Sequence, residues 1–266
     1  MSEHPTPKYF YKYKGIRTIE DLERLVDIIK NNRIYIPTRT QLNDPMECKY
    51  MPRVAFAHSG NWIISSTHHV DPIVESAMDK YRVLSLSADG TNLQMWAHYS
   101  NNYSGVCIEF KNTGELSQAK PVQYLDETPH FKIFYEDEFT ASDREKWVLD
   151  SYFMKSGGWK YEAEYRILKS KEEKYLPIRN TDIASIVIGH NLAESCRDYI
   201  YNLCKEKSIP VYYTWPSDFD YDVHYVDIRA VICKVYCSGE NILNYEKGKV
   251  YDELKLEKEK SMMEEK

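Results

Sequence analysis

The sequence predicts an α+β protein, a single mixed-sheet domain with flanking helices. Three observations carry that reading. Short apolar runs of strand length alternate with stretches of helical period. Residues 183–214 give a strand, a helix and a second strand in succession, most simply a right-handed parallel crossover. Residues 106–110 alternate strictly, with Val106, Ile108 and Phe110 on one face and Cys107 and Glu109 on the other.

The elements follow in order. Residues 9–13 read as the first strand. Thr18 is an N-cap, and Ile19, Leu22, Leu25, Val26, Ile28 and Ile29 recur at helical spacing until Asn31 and Asn32 end the run. Residues 33–37 form a short strand, and Asn43-Asp44-Pro45 marks a turn. Residues 51–80 are irregular, with helical character over 72–80, and 83–87 is a strand. A short aromatic helix over 93–100 leads through Gly105 into the alternating strand. Residues 121–125 and 132–135 are further strands. Residues 141–156 form a helix with Trp147, Ser151 and Met154 on one side, capped by Gly157-Gly158, and 161–168 is the strand after it. Then come the strand 183–188, the helix 192–207 and the strand 211–214, and 228–236 closes the sheet. Residues 1–245 therefore read as one domain, and 246–266, mixed in charge and poor in apolar residues, as a charged helix or tail.

Composition narrows the function classes. A chain of 266 residues with 42% hydrophobic residues has material for a sizeable core, so disorder is excluded as a global description. Its net charge of −6 offers no uniform basic footprint, so phosphate neutralisation is not its main role. The N-terminal residues lack the apolar stretch of a signal peptide, and no segment approaches the roughly 18 apolar residues that span a bilayer. Cys48, Cys107, Cys196, Cys204, Cys233 and Cys237 contain no CxxC pair and read as reduced thiols, most of them in the core. The expectation is a cytoplasmic protein that does not engage membrane. The unusual figure is 23 tyrosines, against 8 phenylalanines and 5 tryptophans. Tyrosine pairs a stacking face with a hydroxyl, which suits a wet cleft as well as a core.

Familiar chemistry is mostly missing. The sequence has no phosphate-binding glycine loop and no G-x-S-x-G elbow. Its eight histidines are scattered without ligand spacing, so no metal is expected. Asp44, Glu47 and Lys49 give a loose acid-x-Lys match to metal-dependent nucleases, a pattern that chance also produces. Two clusters remain. Glu162 and Glu164, read as i and i+2 on a strand, project from one face about 7 Å apart, flanked by Tyr161, Tyr165 and Arg166. Such a pair is either a solvated face bridged to Lys160 or Arg166, or a site that stabilises an oxocarbenium-like sugar centre. Trp96, His98 and Tyr99 are either aromatic core with one exposed histidine, or the lining of a cleft beside Asn43 and Glu47.

These residues carry a resemblance. The blocks Asn43-Asp44-Pro45-Met46-Glu47, Met95-Trp96-Ala97-His98-Tyr99 and Trp159-Lys160-Tyr161-Glu162-Ala163-Glu164-Tyr165-Arg166, in order and spacing over residues 9–236, resemble the bacterial family catalogued as domain of unknown function 2971. More remotely, the opening strand–helix–strand, the late Glu-x-Glu strand and the unit after it resemble ADP-ribosyltransferase folds, above all the group that modifies DNA bases in toxin and defence systems. That resemblance implies NAD as substrate, Glu164 as the catalytic carboxylate and Glu162 as the acceptor-orienting one. It implies that Tyr11 or Tyr13 replaces the first-strand His or Arg of that pattern, and that Asn43 lies near the ribose. Trp96, Tyr99 or Tyr13 would stack the nicotinamide or adenine, with His98 beside them. The departures are the missing first-strand His or Arg and the absence of a hydroxyl partner in Tyr13-Lys14-Gly15. The expected function is an NAD-cleaving or ADP-ribosyl-transferring enzyme of a toxin or phage-defence system. Its partners would be a nucleotide, a nucleic-acid or protein acceptor, and an antitoxin or defence protein. The alternatives are a non-enzymatic nucleotide- or peptide-binding sensor and a metal-dependent nuclease.

Overall fold

The computed structural model describes residues 6–44, 55–58, 61–64, 76–126, 133–135, 141–216 and 223–227. In chain order its first elements are β1 (Tyr9–Gly15), α1 (Ile19–Asn31), β2 (Arg33–Tyr35), β3 (Ala55–His58), β4 (Asn61–Ile64) and β5 (Tyr81–Ser87). Next come α2 (Leu93–Tyr99), β6 (Gly105–Lys111), β7 (Lys120–Pro121), β8 (Gln123–Leu125), β9 (Ile133–Tyr135) and α3 (Ala141–Ser151). The last are β10 (Met154–Ser156), β11 (Glu164–Ser170), β12 (Tyr175–Pro177), β13 (Ile183–Ile188), α4 (Glu194–Glu206), β14 (Val211–Pro216) and β15 (Val223–Asp227). Helices with a mixed sheet make this an α+β fold.

The chain divides into two compact units, one of Met1–Arg33, Ala88–Gly114 and Ile178–Lys266, the other of Ile34–Ser87 and Glu115–Pro177. In the first unit five strands run in the order β15-β14-β13-β6-β1. β13 and β14 pair in parallel, and the other neighbours are antiparallel, so the strand–helix–strand unit is a true parallel crossover through α4. β6 lies between β1 and β13 and is buried along almost its whole length, which is why Val106, Cys107, Ile108 and Phe110 all lack exposed surface. A strand covered on both faces loses the two-faced alternation its sequence suggests. α1 starts where expected. The Thr18 hydroxyl oxygen accepts from the Asp21 N–H at 3.3 Å, Glu20 and Asp21 fill the first turn, and Asn32 closes the helix in the left-handed conformation at φ 51°.

In the second unit β11 pairs antiparallel with β5 on one side and β7 on the other. β3 pairs antiparallel with β4 and parallel with β9. Met78, Val83, Val148 and Tyr152 form one packed cluster, backed by Leu42, Tyr81 and Leu168.

Several boundaries differ from the sequence reading. α3 stops at Ser151, and Met154 continues in a strand rather than on the helix face. Gly157-Gly158 opens a short 3-10 turn (157–162) instead of capping a helix. The strand expected from residue 161 starts at Glu164. Val122 separates β7 from β8. On the side of β14 away from β13 the partner is β15, at residues 223–227. The expected strand 228–236, the tail 246–266, Glu47, Lys49, Cys48, Cys233 and Cys237 lie outside the described residues. Cys107, Cys196 and Cys204 are free thiols, and burial pushes the Cys204 thiol up to about 12.

Candidate functional site

The Glu-x-Glu motif sits in a buried charge cluster of the second unit. Glu164 is the first residue of β11, opposite Ser87 of β5, and Arg166 lies opposite Ser85. Glu162 does not share that strand. It ends the 3-10 turn, and Ala163 at φ 44° swings the chain through the left-handed region into β11. The expectation that both carboxylates project from one strand face is therefore corrected, because the turn and not strand period brings them together. Nor is the face solvated: the side chains of Glu162 and Glu164 are each only 5% exposed.

Both carboxylates meet one ammonium. Lys155, on β10, donates from Nζ to Glu162 Oε2 and to Glu164 Oε2, the latter at 2.9 Å. Arg166 grips Glu164 with both arms of its fork, Nε to Oε1 at 2.8 Å and Nη2 to Oε2 at 2.9 Å. Its Nη1 donates to the Tyr152 carbonyl at 2.5 Å. The backbone is pinned as well. Ser87 Oγ donates to the Glu162 carbonyl at 2.7 Å, and the Glu164 N–H donates to Tyr124 Oη at 2.8 Å. β10 runs parallel to β8 with Lys155 opposite Tyr124, so one strand pair delivers both the ammonium and the phenol.

Two acids and two bases in a site this dry need each other. At an effective dielectric of about 20, each carboxylate–ammonium contact near 3 Å gains about 5 kcal/mol before desolvation, while the two like charges repel each other. Desolvation is the opposing term. Burial pushes the Glu164 carboxyl above the usual carboxylate range, and the charge of Lys155 only partly reverses this. Burial would likewise push the Lys155 ammonium down, but the two carboxylates overcome it and hold that group above the usual lysine range. Asp44, of the Asn-Asp-Pro block, acts electrostatically on Arg166 and is itself buried.

The first unit holds an aromatic cluster. Trp96 has no exposed surface, and its indole Nε1 donates to the Gly90 carbonyl at 3.1 Å. Tyr103 stacks on it at 5.6 Å with planes 5° apart, while Tyr13 and Tyr225 meet it edge-on at 5.4 and 6.4 Å. Tyr225 Oη also donates to the Gly90 carbonyl. Tyr13 is buried, and its hydroxyl donates to the Asp89 carbonyl at 2.9 Å. Tyr11 is half-buried and donates to Glu109 Oε1 at 3.0 Å, while Ser185 Oγ donates to Oε2 of the same carboxylate at 2.7 Å. Burial, and then that carboxylate, raise the Tyr11 phenol above its usual range. His98 is exposed and Tyr99 half-buried on α2. Beyond Tyr103 stands His190, whose ring centroid is 4.7 Å away and whose Nδ1 lies 3.0 Å from Thr214 Oγ1.

The structure thus joins Glu162 with Glu164, and Tyr13 with Trp96. It places Tyr11 on the Glu109 carboxylate and Asn43 in an exposed bend of the second unit. Lys155 and Tyr124 were not singled out by sequence. The available signal was a lysine following the apolar run Tyr152-Phe153-Met154, too polar to be packed there without a partner. Among the described residues no three His, Cys, Asp or Glu side chains are grouped to hold a metal ion. None of the described helices is long and apolar enough to cross a membrane.

No curated protein and no solved structure matches the chain, so the ADP-ribosyltransferase likeness rests on sequence alone. Residues 95–167, which hold both the Met-Trp-x-His-Tyr and the Trp-x-Tyr-Glu-x-Glu-x-Arg blocks, match the family described as Protein of unknown function (DUF2971).

Proposed function

We propose that the protein is an NAD-directed enzyme of a bacterial toxin or phage-defence system, and that Glu164 stabilises positive charge developing at the ribose. In the proposed step the bond between the ribose carbon and the pyridinium nitrogen breaks, and its electron pair leaves with neutral nicotinamide. The sugar carbon then gains a bond to an acceptor oxygen or nitrogen, whose proton passes to solvent. One observation supports this reading: Glu164 opens a late strand as a desolvated carboxylate fixed by the Arg166 fork and the Lys155 ammonium. A fixed anion in a dry site stabilises a developing cation without reorganising. Glu162, on the same ammonium, would orient the acceptor.

Incubation of the purified protein with NAD tests the reading. Nicotinamide release or ADP-ribosyl label transfer is expected, falling about 10²–10³-fold in Glu164→Gln, the usual range for loss of one preorganised electrostatic group. Equal behaviour of wild type and variant on every acceptor overturns it.

A second reading is favoured by one specific observation. Both oxygens of Glu164 are already engaged by Arg166 and Lys155. On that reading the pair is structural, and the protein binds a nucleotide without turning it over. Nucleotide binding that is unchanged in Glu164→Gln, with no nicotinamide released, selects this alternative.

A further inference from the structure

We infer that Lys155 is the positioning residue of the Glu162–Glu164 pair, the ammonium that bridges two buried carboxylates and holds them side by side. The catalytic part of this inference rests on the reading of Glu164 given above; the electrostatic part does not. Lys155 makes no sequence motif with the pair. β10 carries it in, beside β8, so that its Nζ bonds both Glu162 and Glu164 with a side chain only 3% exposed. Nζ also stands 5.2 Å from the Trp159 ring centroid, so the aromatic of the same sequence block covers the ammonium from another side.

The division of labour between the two cations supports the assignment. Arg166 bonds Glu164 through both arms of its fork and also donates to the Tyr152 carbonyl. Lys155 bonds both acids at once, so Arg166 anchors Glu164 while Lys155 joins the pair. The groups facing the pair include Lys155 from β10, Arg166 from β11 itself, Ser85 from β5, Tyr124 from β8 and Tyr161 from the 3-10 turn, with Asp44 acting on Arg166. Tyr124 supplies no charge, because burial pushes its phenol up to about 12. Removing Lys155 therefore takes a positive charge from beside two buried acids, which favours the protonated form.

The test uses the full chain labelled with glutamate carrying ¹³C at the side-chain carboxyl, with signals assigned through Glu162→Gln and Glu164→Gln. In Lys155→Met the titration midpoint of the Glu164 carboxyl is expected to rise by about 1–3 pH units, the range for loss of an adjacent opposite charge. Lys155→Arg is expected to return it most of the way. Glu162→Gln is expected to lower the Glu164 midpoint, since it removes the like charge, and this arm stands even where Lys155→Met fails to fold. Unmoved midpoints in the folded variants overturn the inference. In parallel, the acid limb of the kcat profile for NAD cleavage is expected to shift with the carboxyl midpoint. Shifted midpoints with no nicotinamide released by wild type would retain Lys155 as the joining residue and reject the glycosidic reading, so the two failures are separable.

Discussion

Glu162 and Glu164 flank a left-handed alanine and leave different kinds of backbone, yet both hydrogen-bond the Lys155 ammonium. The convergence depends on Ala163, held at φ 44°. An L-residue there bears about 1–2 kcal/mol of strain that glycine does not. Ala163→Gly is expected to change stability by less than about 1 kcal/mol, because relieved strain is offset by greater unfolded-chain entropy. Ala163→Val, β-branched in the same conformation, is expected to cost more than about 2 kcal/mol and to part the two acids. Urea unfolding midpoints compare the three; equal costs for glycine and valine would remove the turn from the explanation.

Arg166 and Glu164 form the two-armed pair of that cluster, with no exposed surface on the arginine side chain. Arg166→Met leaves Glu164 with one counter-ion and the Tyr152 carbonyl without its donor, an expected loss of about 3–5 kcal/mol. Adding Glu164→Leu removes the stranded carboxylate, so the double variant is expected to be more stable than the sum of the single losses, by about 1–3 kcal/mol of coupling. Simple additivity in chemical denaturation would show that the fork contributes nothing specific.

Lys155 also gives the protein a signature in alkali. Its ammonium is held above the usual lysine value of about 10.4, so the folded chain keeps that proton more tightly than the unfolded chain. The stability it contributes is fully present below about pH 10.4 and is lost as pH rises through the folded value. The difference in unfolding free energy between wild type and Lys155→Met is expected to be flat near pH 9–10 and to shrink above it. Guanidinium titrations at successive pH values measure this, and a difference that stays constant to pH 12 contradicts it.

The sequence was readable where local chemistry decides structure. The Thr18 cap, the period of α1 and the apolar run of β13 fix those elements almost to the residue, because capping and burial act within a few positions. The Glu-x-Glu motif was visible as a place but not as a geometry. Strand period was a reasonable expectation from Tyr161 onward, and the 3-10 turn that replaces it depends on Gly157-Gly158 and on contacts with the β8 and β10 strands. Lys155 was hidden for a related reason. The helix that seemed to run to residue 156 ends five residues sooner, and the register that aims Lys155 at the acids comes from β8, some thirty residues earlier. Trp96 and Tyr13 read equally well as core or as cleft. Burial and the Gly90 and Asp89 carbonyls leave both with their donors engaged and little surface, a matter of tertiary packing that spacing cannot express.

Tyr103 reaches Trp96 through an uncommon stretch of chain. Asn101, Asn102 and Tyr103 are three successive non-glycine residues in the left-handed region, at φ 53°, 52° and 62°. Each bears strain, so the corner must be over-determined by its surroundings. It is. The Asn102 N–H donates to the Ala97 carbonyl at 2.9 Å, and the Asn191 N–H and Nδ2 donate to the Tyr103 and Asn102 carbonyls at 3.1 and 3.0 Å. Gly189 completes the clamp, since a Cβ there would lie 2.0 Å from the Tyr103 carbonyl oxygen, a backbone atom that cannot swing aside. Gly189→Ala is therefore expected to cost more than about 3 kcal/mol, by forcing the corner out of its hydrogen bonds. It should also weaken the near-ultraviolet circular dichroism of the Trp96–Tyr103 stack before global unfolding begins. A Gly189→Ala protein with wild-type melting temperature and an unchanged aromatic spectrum would mean that the corner yields freely, and that its left-handed run is not held by the loop after β13.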